Sequence, residues 1–199
     1  MKKILSMDFK GERTYLQGGD FYNALSALAH EIAPAAFVER LAFRQFTDKA
    51  CEVCSEAPAD PTRIVGQVRW RLAADQSLPA WLVQTEQPVK GRRAFDEERL
   101  LAPAQVDAAT RCAHLPARSI YTPIEDVIAL TKRLNYAVCP TIEGKWVFGQ
   151  LDLVQALDDD YEQLDIRMKS LMAGRFSVNE IFVDQRLIGT LRFITGAPS

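Results

Sequence analysis

The first half of the chain combines one apolar helix with a series of strands. Apolar residues recur at the i, i+3, i+4, i+7 spacing of a helix face over 21–33, and Pro34 ends the segment. Alanines at 27 and 33 extend the apolar surface almost all the way round, so we expect a helix enclosed by other elements. Four strand-like runs follow, separated by Asp, Pro and Ser turns: AFVERLAFRQF, KACEVCSE, TRIVGQVRWRL and AWLVQTE. The pattern predicts one helix followed by an antiparallel meander.

The second half repeats this order after a break. Residues 87–116 are charged and lack sustained periodicity, which predicts a linker with one short helix at 95–101. A helix at about 124–138 is followed by the runs KWVFGQLDLV, EQLDIRMKSLM, RFSVNEIFV and RLIGTLRFI, the last two joined by a tight DQ turn. We therefore divide the chain into a first unit, 1–86, a linker, 87–116, and a second unit, 117–199.

The two halves also agree residue by residue. RTYLQGGDFYNALS from Arg13 aligns without gaps on RSIYTPIEDVIALT from Arg118, an offset of 118 − 13 = 105 residues. RIVGQVRW from Arg63 aligns on RLIGTLRF from Arg186, an offset of 186 − 63 = 123 residues. About 18 residues must then be inserted between the two matches, and EQLDIRMKSLM is a candidate for part of them. Two matches in the same order predict an internal duplication.

Composition and charge exclude several classes of protein. The 199 residues are 48% hydrophobic and 25% charged, which is ordinary for one large globular domain or two small ones. A net charge of −2 provides no basic field for nucleic acid, and no apolar run approaches the ~18 residues of a membrane span. The apolar stretch near the start of the chain is too short for the core of a signal peptide. We expect a cytoplasmic protein without a nucleic-acid or membrane partner.

The four cysteines raise the question of a metal site. Cys51 and Cys54 form a CEVC motif, and Cys112 stands two residues before His114. However, CEVC lies in a strand-like segment, where residues i and i+3 point to opposite faces and cannot chelate one ion. We therefore expect buried free thiols, no metal and no other cofactor.

The predicted units resemble the hotdog fold of acyl-thioester thioesterases and dehydratases. LQGGDFYNALSALA is similar to the His-Gly-Gly turn and helix start of hotdog thioesterases, and GRFSVNEIFVDQRLIGTLRFITG is similar to the closing strands of that fold. The resemblance implies an α+β double hotdog of two units, each a central helix wrapped by an antiparallel sheet. It further implies a tunnel between the units for an acyl thioester of coenzyme A or of an acyl carrier protein. The chain could also assemble as a homodimer.

The resemblance places a candidate site at the start of the first helix. Free amides at a helix N-terminus carry partial positive charge, and glycine lets a thioester carbonyl approach them. Gly18 and Gly19 would bind substrate, with the Gly19 and Asp20 amides polarising the carbonyl. Gln17 stands where the thioesterase histidine would be, and would orient substrate or water. In the second unit Pro123 and Ile124 replace the glycine pair, so we expect one site and not two.

Polar residues along the first helix extend this site. Asp20 is either a helix cap or a general base, and the equivalent Glu125 is better explained as a cap. Asn23, Ser26 and His30, at i, i+3 and i+7, form either a solvent-facing stripe or the polar lining of the tunnel. Asn23 and Ser26 would then contact substrate. Asp20 or His30 would transfer the proton, because histidine titrates near neutrality.

Arginines on the matched strands have two explanations. Arg63, Arg69, Arg186 and Arg192 alternate with apolar residues, which is typical of the solvent-facing side of a sheet. They could instead attract a phosphopantetheine or nucleotide phosphate.

The leading hypothesis is an acyl-thioester-binding enzyme of the thioesterase or dehydratase type. The alternative is a noncatalytic binding or scaffold protein that kept the fold, because the usual histidine and acid are replaced.

Overall fold

Each half of the chain packs an antiparallel sheet against one long helix. The computed structural model describes residues 1–196, and the chain divides into the units Met1–Phe95 and Asp96–Ser199. No helix in the described part of the chain is both long enough and apolar enough to cross a membrane.

The first unit contains one long helix and seven strands. These elements are β1 (Lys2–Leu5), β2 (Phe9–Lys10), α1 (Gly18–Ile32), β3 (Phe37–Phe43), β4 (Lys49–Cys54), β5 (Ile64–Ala73), β6 (Gln76–Pro88) and β7 (Arg92–Arg93). The sheet has the order β1-β4-β6-β5-β3 with antiparallel pairs, while β2 and β7 form a separate parallel ribbon.

Alternation along β5 decides which face of this sheet forms the core. Val68 and Trp70 are buried, whereas Gln67 is exposed and Arg69 is half-buried. Trp70 Nε1 donates a hydrogen bond to the backbone oxygen of Leu25 on α1 at 3.0 Å, which satisfies the one polar atom of a fully buried side chain. Burial of each such large apolar side chain stabilises the unit by about 1.5–3 kcal/mol. The core therefore lies between α1 and one face of the sheet.

The described part of the second unit, residues 96–196, contains a short helix, a long helix and six strands. These elements are α2 (Glu97–Leu101), β8 (Gln105–Asp107), β9 (Cys112–Leu115), α3 (Pro123–Val138), β10 (Lys145–Leu153), β11 (Leu164–Met172), β12 (Phe176–Val183) and β13 (Arg186–Gly196). The strand order is β10-β13-β12-β11-β9-β8, with antiparallel pairs.

Local sequence explains how α3 begins. The Thr122 side chain and the carboxylate of Glu125 form a capping box, in which Glu125 accepts from the backbone N–H of Thr122 at 3.0 Å. The interpretation of Glu125 as a cap is thus confirmed. Pro123 occupies the first helical position, where its missing N–H has no consequence.

The tight turn between β12 and β13 also follows from its residues. Asp184 and Gln185 both have positive φ, 48° and 67°, as a two-residue type I′ turn requires. The carboxylate of Asp184 accepts from the backbone N–H groups of Glu162 and Gln163, both at 3.0 Å. These bonds hold a turn conformation that non-glycine residues rarely adopt.

The segment predicted as a linker, 87–116, is instead built into both units. It contains the end of β6 and then β7 in the first unit, and α2, β8 and β9 in the second. The short helix predicted at 95–101 corresponds to α2, whose N-cap Asp96 accepts from the backbone N–H of Arg99 at 2.9 Å. The strands were missed because each is only two to four residues long, too short to show a period-two pattern.

Candidate functional site

The start of α1 presents two backbone N–H groups. Gln17 is the N-cap, in an extended conformation with φ −99° and ψ 150°, and its side chain makes no capping hydrogen bond. Its carbonyl accepts from the backbone N–H of Asp20 at 3.0 Å and of Phe21 at 3.2 Å. The described part of the chain offers no acceptor to the N–H groups of Gly18 and Gly19. The free pair is therefore Gly18 and Gly19, and not Gly19 and Asp20 as the sequence suggested.

The side chain of Gln17 is held beside this turn. With its amide oriented so that the oxygen faces Arg13, Gln17 accepts from Nη1 at 3.3 Å and also from Nε of that residue. Gln17, which stands where hotdog thioesterases have their histidine, thus contacts Arg13, four residues before it in the chain.

Asp20 is a buried carboxylate with two cationic neighbours. Its side chain is only 7% exposed, and Oδ1 lies 2.5 Å from Arg93 Nη2 and 4.0 Å from Lys10 Nζ. The second oxygen, Oδ2, is buried and has no hydrogen-bond partner. An unpartnered buried carboxylate oxygen is costly, and it is also the atom that could accept a proton or a hydrogen bond from a ligand.

The two cations reach Asp20 from the parallel ribbon. Lys10 lies on β2 and pairs with Arg93 on β7, so the ribbon brings residues from opposite ends of the first unit together. Lys10 is 3% exposed, and its Nζ lies 4.2 Å from the centroid of the Phe95 ring, a cation–π contact. Sequence reasoning missed both cations because each lies on a strand of only two residues, and Arg93 also stands in the segment interpreted as a linker.

The polar stripe of α1 is divided between two environments. Asn23 and Ser26 are half-buried, and the hydroxyl of Ser26 is buried without a partner. His30 is exposed in the last turn. At a rise of 1.5 Å per residue, His30 lies roughly 15 Å along the helix from Asp20. The structure therefore does not bring His30 to the helix start, and Asp20 is the one acidic group in the first turn of α1.

At the corresponding start of α3, the buried acidic side chain is fully engaged in hydrogen bonds. Asp126 is fully buried, and its carboxylate accepts from the Ser119 backbone N–H at 3.1 Å, the Ser119 hydroxyl at 2.5 Å and the Tyr161 hydroxyl at 2.5 Å. Burial raises the pKa of Asp126, and these hydrogen bonds oppose the shift. Burial and the hydrogen bond to Asp126 likewise raise the pKa of Tyr161. These three hydrogen bonds engage the carboxylate of Asp126, a residue that the sequence analysis did not single out.

The CEVC cysteines lie on β4. Cys51 is fully buried and Cys54 half-buried. Burial and then the charge of Glu52 raise the pKa of the Cys51 thiol to about 12. Since the thiolate is the form that binds metals and attacks substrates, Cys51 is held in its inert form.

Comparisons with known proteins bear on the fold. No protein-family model and no curated protein matches the chain. Among solved structures, a candidate thioesterase of Novosphingobium aromaticivorans matches with a TM-score of 0.50 and 13% identity, over 98% of this chain and 95% of that one.

Two mycobacterial structures match with a TM-score of 0.48 each. A tesB protein of Mycobacterium avium subspecies paratuberculosis is 10% identical over 100% of this chain and 93% of that one. The dehydratase domain of PpsC from Mycobacterium tuberculosis, in complex with C12:1-CoA, is 12% identical over 98% and 92%. At 13% identity the likeness to the Novosphingobium structure concerns the fold alone, and it agrees with the helices and antiparallel strands described above. The chain is therefore a hotdog-fold protein.

Proposed function

We propose that the chain binds an acyl thioester at the start of α1 and hydrolyses it. One observation carries the proposal: the free N–H groups of Gly18 and Gly19 stand next in sequence to Asp20, whose Oδ2 is buried without a partner. Donors for a carbonyl oxygen and an acceptor for a proton are the two requirements of acyl transfer to water. The choice of a thioester of coenzyme A or of an acyl carrier protein follows the hotdog resemblance and the candidate thioesterase of the same fold.

Each residue has a role in this reaction. The Gly18 and Gly19 amides would bind the thioester carbonyl oxygen, where negative charge develops as water attacks the carbonyl carbon. Asp20 Oδ2 would accept the proton of that water. The tetrahedral intermediate would then collapse, break the carbon–sulfur bond and release the thiolate. Gln17 and Asn23 would orient substrate or water, and Ser26 would contact the acyl group.

Hydrolysis fits these residues better than dehydration. Elimination of water from a 3-hydroxyacyl thioester needs a base for the α-proton and an acid for the leaving hydroxyl. The position of His30 at the far end of α1 leaves Asp20 as the proton-transfer group of this helix start. A single carboxylate is sufficient for attack by water.

A tandem pair of related hotdog units belongs to the same proposal. The helices begin at Gly18 and Pro123, which reproduces the offset of 123 − 18 = 105 residues found in the alignment. Gly66 on β5 and Gly189 on β13 are aligned at the second offset. In each unit a Cβ at this glycine would collide with the backbone oxygen of the neighbouring strand. Both β5 and β13 pair with the strand that follows the long helix.

The order of the strands along the chain differs between the units. In the first unit β5 precedes its hairpin partner β6, whereas in the second unit β13 follows its hairpin partner β12. When β5 is aligned with β13, the strand that the second unit has in addition before β13 is β12, Phe176–Val183. EQLDIRMKSLM forms β11, which is paired with β9 and β12 in a position similar to that of β4.

One observation favours a noncatalytic alternative. Asp20 Oδ1 is ion-paired with Arg93 and lies near Lys10, so this carboxylate also anchors α1 to the ribbon of β2 and β7. A scaffold protein would keep that anchor without turnover.

The test combines binding and turnover on a panel of acyl-coenzyme A thioesters. Thermal shift reports binding, and a thiol reagent reports the coenzyme released. The key variant is Gly18→Pro, which removes one backbone N–H at the first helical position. Proline is tolerated there, and the extended Gln17 suits a residue before proline.

We expect Gly18→Pro to keep the wild-type thermal midpoint and lower kcat by about 100- to 1,000-fold, the effect of removing one oxyanion donor. The matched control is Pro123→Gly in the second unit, which should leave turnover unchanged. Stabilisation by thioesters without thiol release would favour the scaffold alternative. Wild-type turnover in Gly18→Pro would disprove the proposed role of the helix start.

A further inference from the structure

The outer face of the first unit's sheet carries a groove that the acyl-thioester site does not use. Its volume is about 280 Å³. It is lined mainly by outward-facing side chains of β3, β5 and β6, with Val68 and Ala80 in its floor: Arg40, Ala42, Gln67, Arg69, Pro79 and Trp81. We call this feature the Trp81 groove.

The strand register shows how the groove forms. Across β3, β5 and β6, one row consists of Arg40, Arg69 and Pro79, and the next row consists of Ala42, Gln67 and Trp81. Ala42 is the smallest member of its row, so its short side chain leaves a hollow beside the larger ones. The two rows lie two residues apart along each strand, or roughly 7 Å.

Positive charge is in excess around the groove. Arg69 Nε donates to Glu39 Oε2 at 2.6 Å, and Arg71, on the same face of β5, bonds the other oxygen of Glu39. Burial acts to raise the pKa of Glu39, but the hydrogen bonds from Arg71 and Arg69 outweigh it and lower that pKa. One ionised carboxylate thus faces two guanidinium groups, which leaves one positive charge in excess beside the groove. Arg69 is 44% exposed, so part of its guanidinium faces solvent.

An aromatic surface lies one row away from this charge. Of the three tryptophans, Trp70 and Trp146 are buried in the cores of their units, whereas Trp81 is half-exposed on the outer face. A half-exposed indole in the row next to arginines presents a stacking surface beside an anion site. Base stacking on aromatic rings and phosphate binding by arginine are the two contacts that bind nucleotides.

We propose that the Trp81 groove binds a nucleotide, with the base against Trp81 and a phosphate on Arg69 and Arg40. Gln67, next to Trp81 in the same row, offers an amide to the sugar or the base. The volume is slightly below the range of about 300–1,000 Å³ found for sites that hold drug-sized ligands, so a mononucleotide fits better than a complete coenzyme. The ligand could be a free nucleotide or the nucleotide end of a coenzyme. The inference does not depend on the proposed hydrolysis.

Tryptophan fluorescence provides a direct test. Because the other two tryptophans are buried, stacking on Trp81 should quench the solvent-accessible part of the emission. Adenosine monophosphate is the primary probe, and adenosine, inorganic phosphate and coenzyme A are compared with it. Trp81→Phe assigns the signal, since quenching should disappear in that variant.

Two variants address the anion site. Arg69→Gln removes a guanidinium from the groove, and Gln67→Glu places a negative charge in the row next to Arg69, at an exposed position. The matched control is Arg192→Gln on β13, which makes the same change at the aligned arginine, whose guanidinium lies over the ring of Phe176 at 4.3 Å. Thermal midpoints of all variants establish that they are folded.

We expect adenosine monophosphate to quench the wild-type emission saturably. The dissociation constant should rise at least about tenfold in Arg69→Gln and in Gln67→Glu. It should stay unchanged in the control, Arg192→Gln. Adenosine should bind at least about tenfold more weakly, because it lacks the phosphate. Tighter binding of coenzyme A than of the monophosphate would identify the coenzyme as the source of the nucleotide, and equal binding would identify a free mononucleotide. No saturable quenching at millimolar monophosphate would overturn the proposal. Equal affinity for inorganic phosphate and the monophosphate would overturn it too, because it would show a general anion patch.

Discussion

Asp20→Asn should destabilise the first unit, because it removes the carboxylate that faces a buried ammonium group. Lys10 is 3% exposed and Asp20 7%, so water cannot replace the lost charge at Lys10. Lys10 keeps its other contacts in the variant, among them the ring of Phe95, but it loses the negative charge that lies 4.0 Å from Nζ. Arg93 is 36% exposed and can be hydrated, so its share of the loss is small.

The magnitude follows from the burial of Lys10. Removing one partner of a buried ion pair costs about 3–5 kcal/mol, which is a large fraction of the about 5–15 kcal/mol that stabilises a typical protein. For a chain of about 200 residues, 1 kcal/mol corresponds to about 2–4 °C in the thermal midpoint. We therefore expect the midpoint to fall by about 6–20 °C.

Urea denaturation followed by circular dichroism measures this change in a double-mutant cycle. The single variants are Asp20→Asn and Lys10→Met, and the double variant carries both. Since an uncharged pair of similar volume tolerates burial, the double variant should recover most of the stability lost in Asp20→Asn. Recovery would also give a stable background in which the effect of Asp20 on turnover can be measured apart from its effect on folding.

Two results would refute this reasoning. An Asp20→Asn variant within about 0.5 kcal/mol of the wild type would mean that solvent reaches Lys10. Additive losses in the double variant, within about 0.5 kcal/mol, would mean that Asp20 and Lys10 do not interact.

Other predictions concern the sheets and the start of α3. Gly66→Ala and Gly189→Ala should each destabilise the chain by about 1–3 kcal/mol, because the added methyl group meets the backbone of the neighbouring strand. Urea titration measures this loss, and unchanged unfolding midpoints would contradict the close approach of the strands. Burial raises the pKa of Asp126 in the folded state, so its contribution to stability is complete below the unfolded pKa of aspartate and is lost as the pH rises through the folded pKa. Asp126→Asn should remove this part of the pH dependence of the thermal midpoint, and an identical dependence in variant and wild type would contradict the assignment.

The elements of the fold could be predicted where local sequence determines them. The apolar period over 21–33 and the alternation in RIVGQVRW identified α1 and β5, and the Asp184–Gln185 turn followed from the two residues between β12 and β13. The capping role of Glu125 was also local, since its partner Thr122 lies three residues away.

The site was only partly predictable, because it depends on pairs far apart in sequence. Gly18, Gly19 and Asp20 stood out as a turn before an apolar helix. The pairing of Asp20 with Arg93, 73 residues away, depends on a two-residue ribbon that no periodicity reveals. Likewise, Tyr161 donates to Asp126 from 35 residues away, and nothing local distinguishes that tyrosine.

The turn at Asp184 and Gln185 offers a means of stabilising the second unit for experiments. A non-glycine residue in the left-handed region costs about 1–2 kcal/mol, and glycine at the second turn position avoids that cost. Gln185→Gly would keep Asp184 and its hydrogen bonds to the backbone of Glu162 and Gln163. Such a background would give engineered variants of the second unit a reserve of stability, so that measurements on them report the intended change and not the fraction of folded protein.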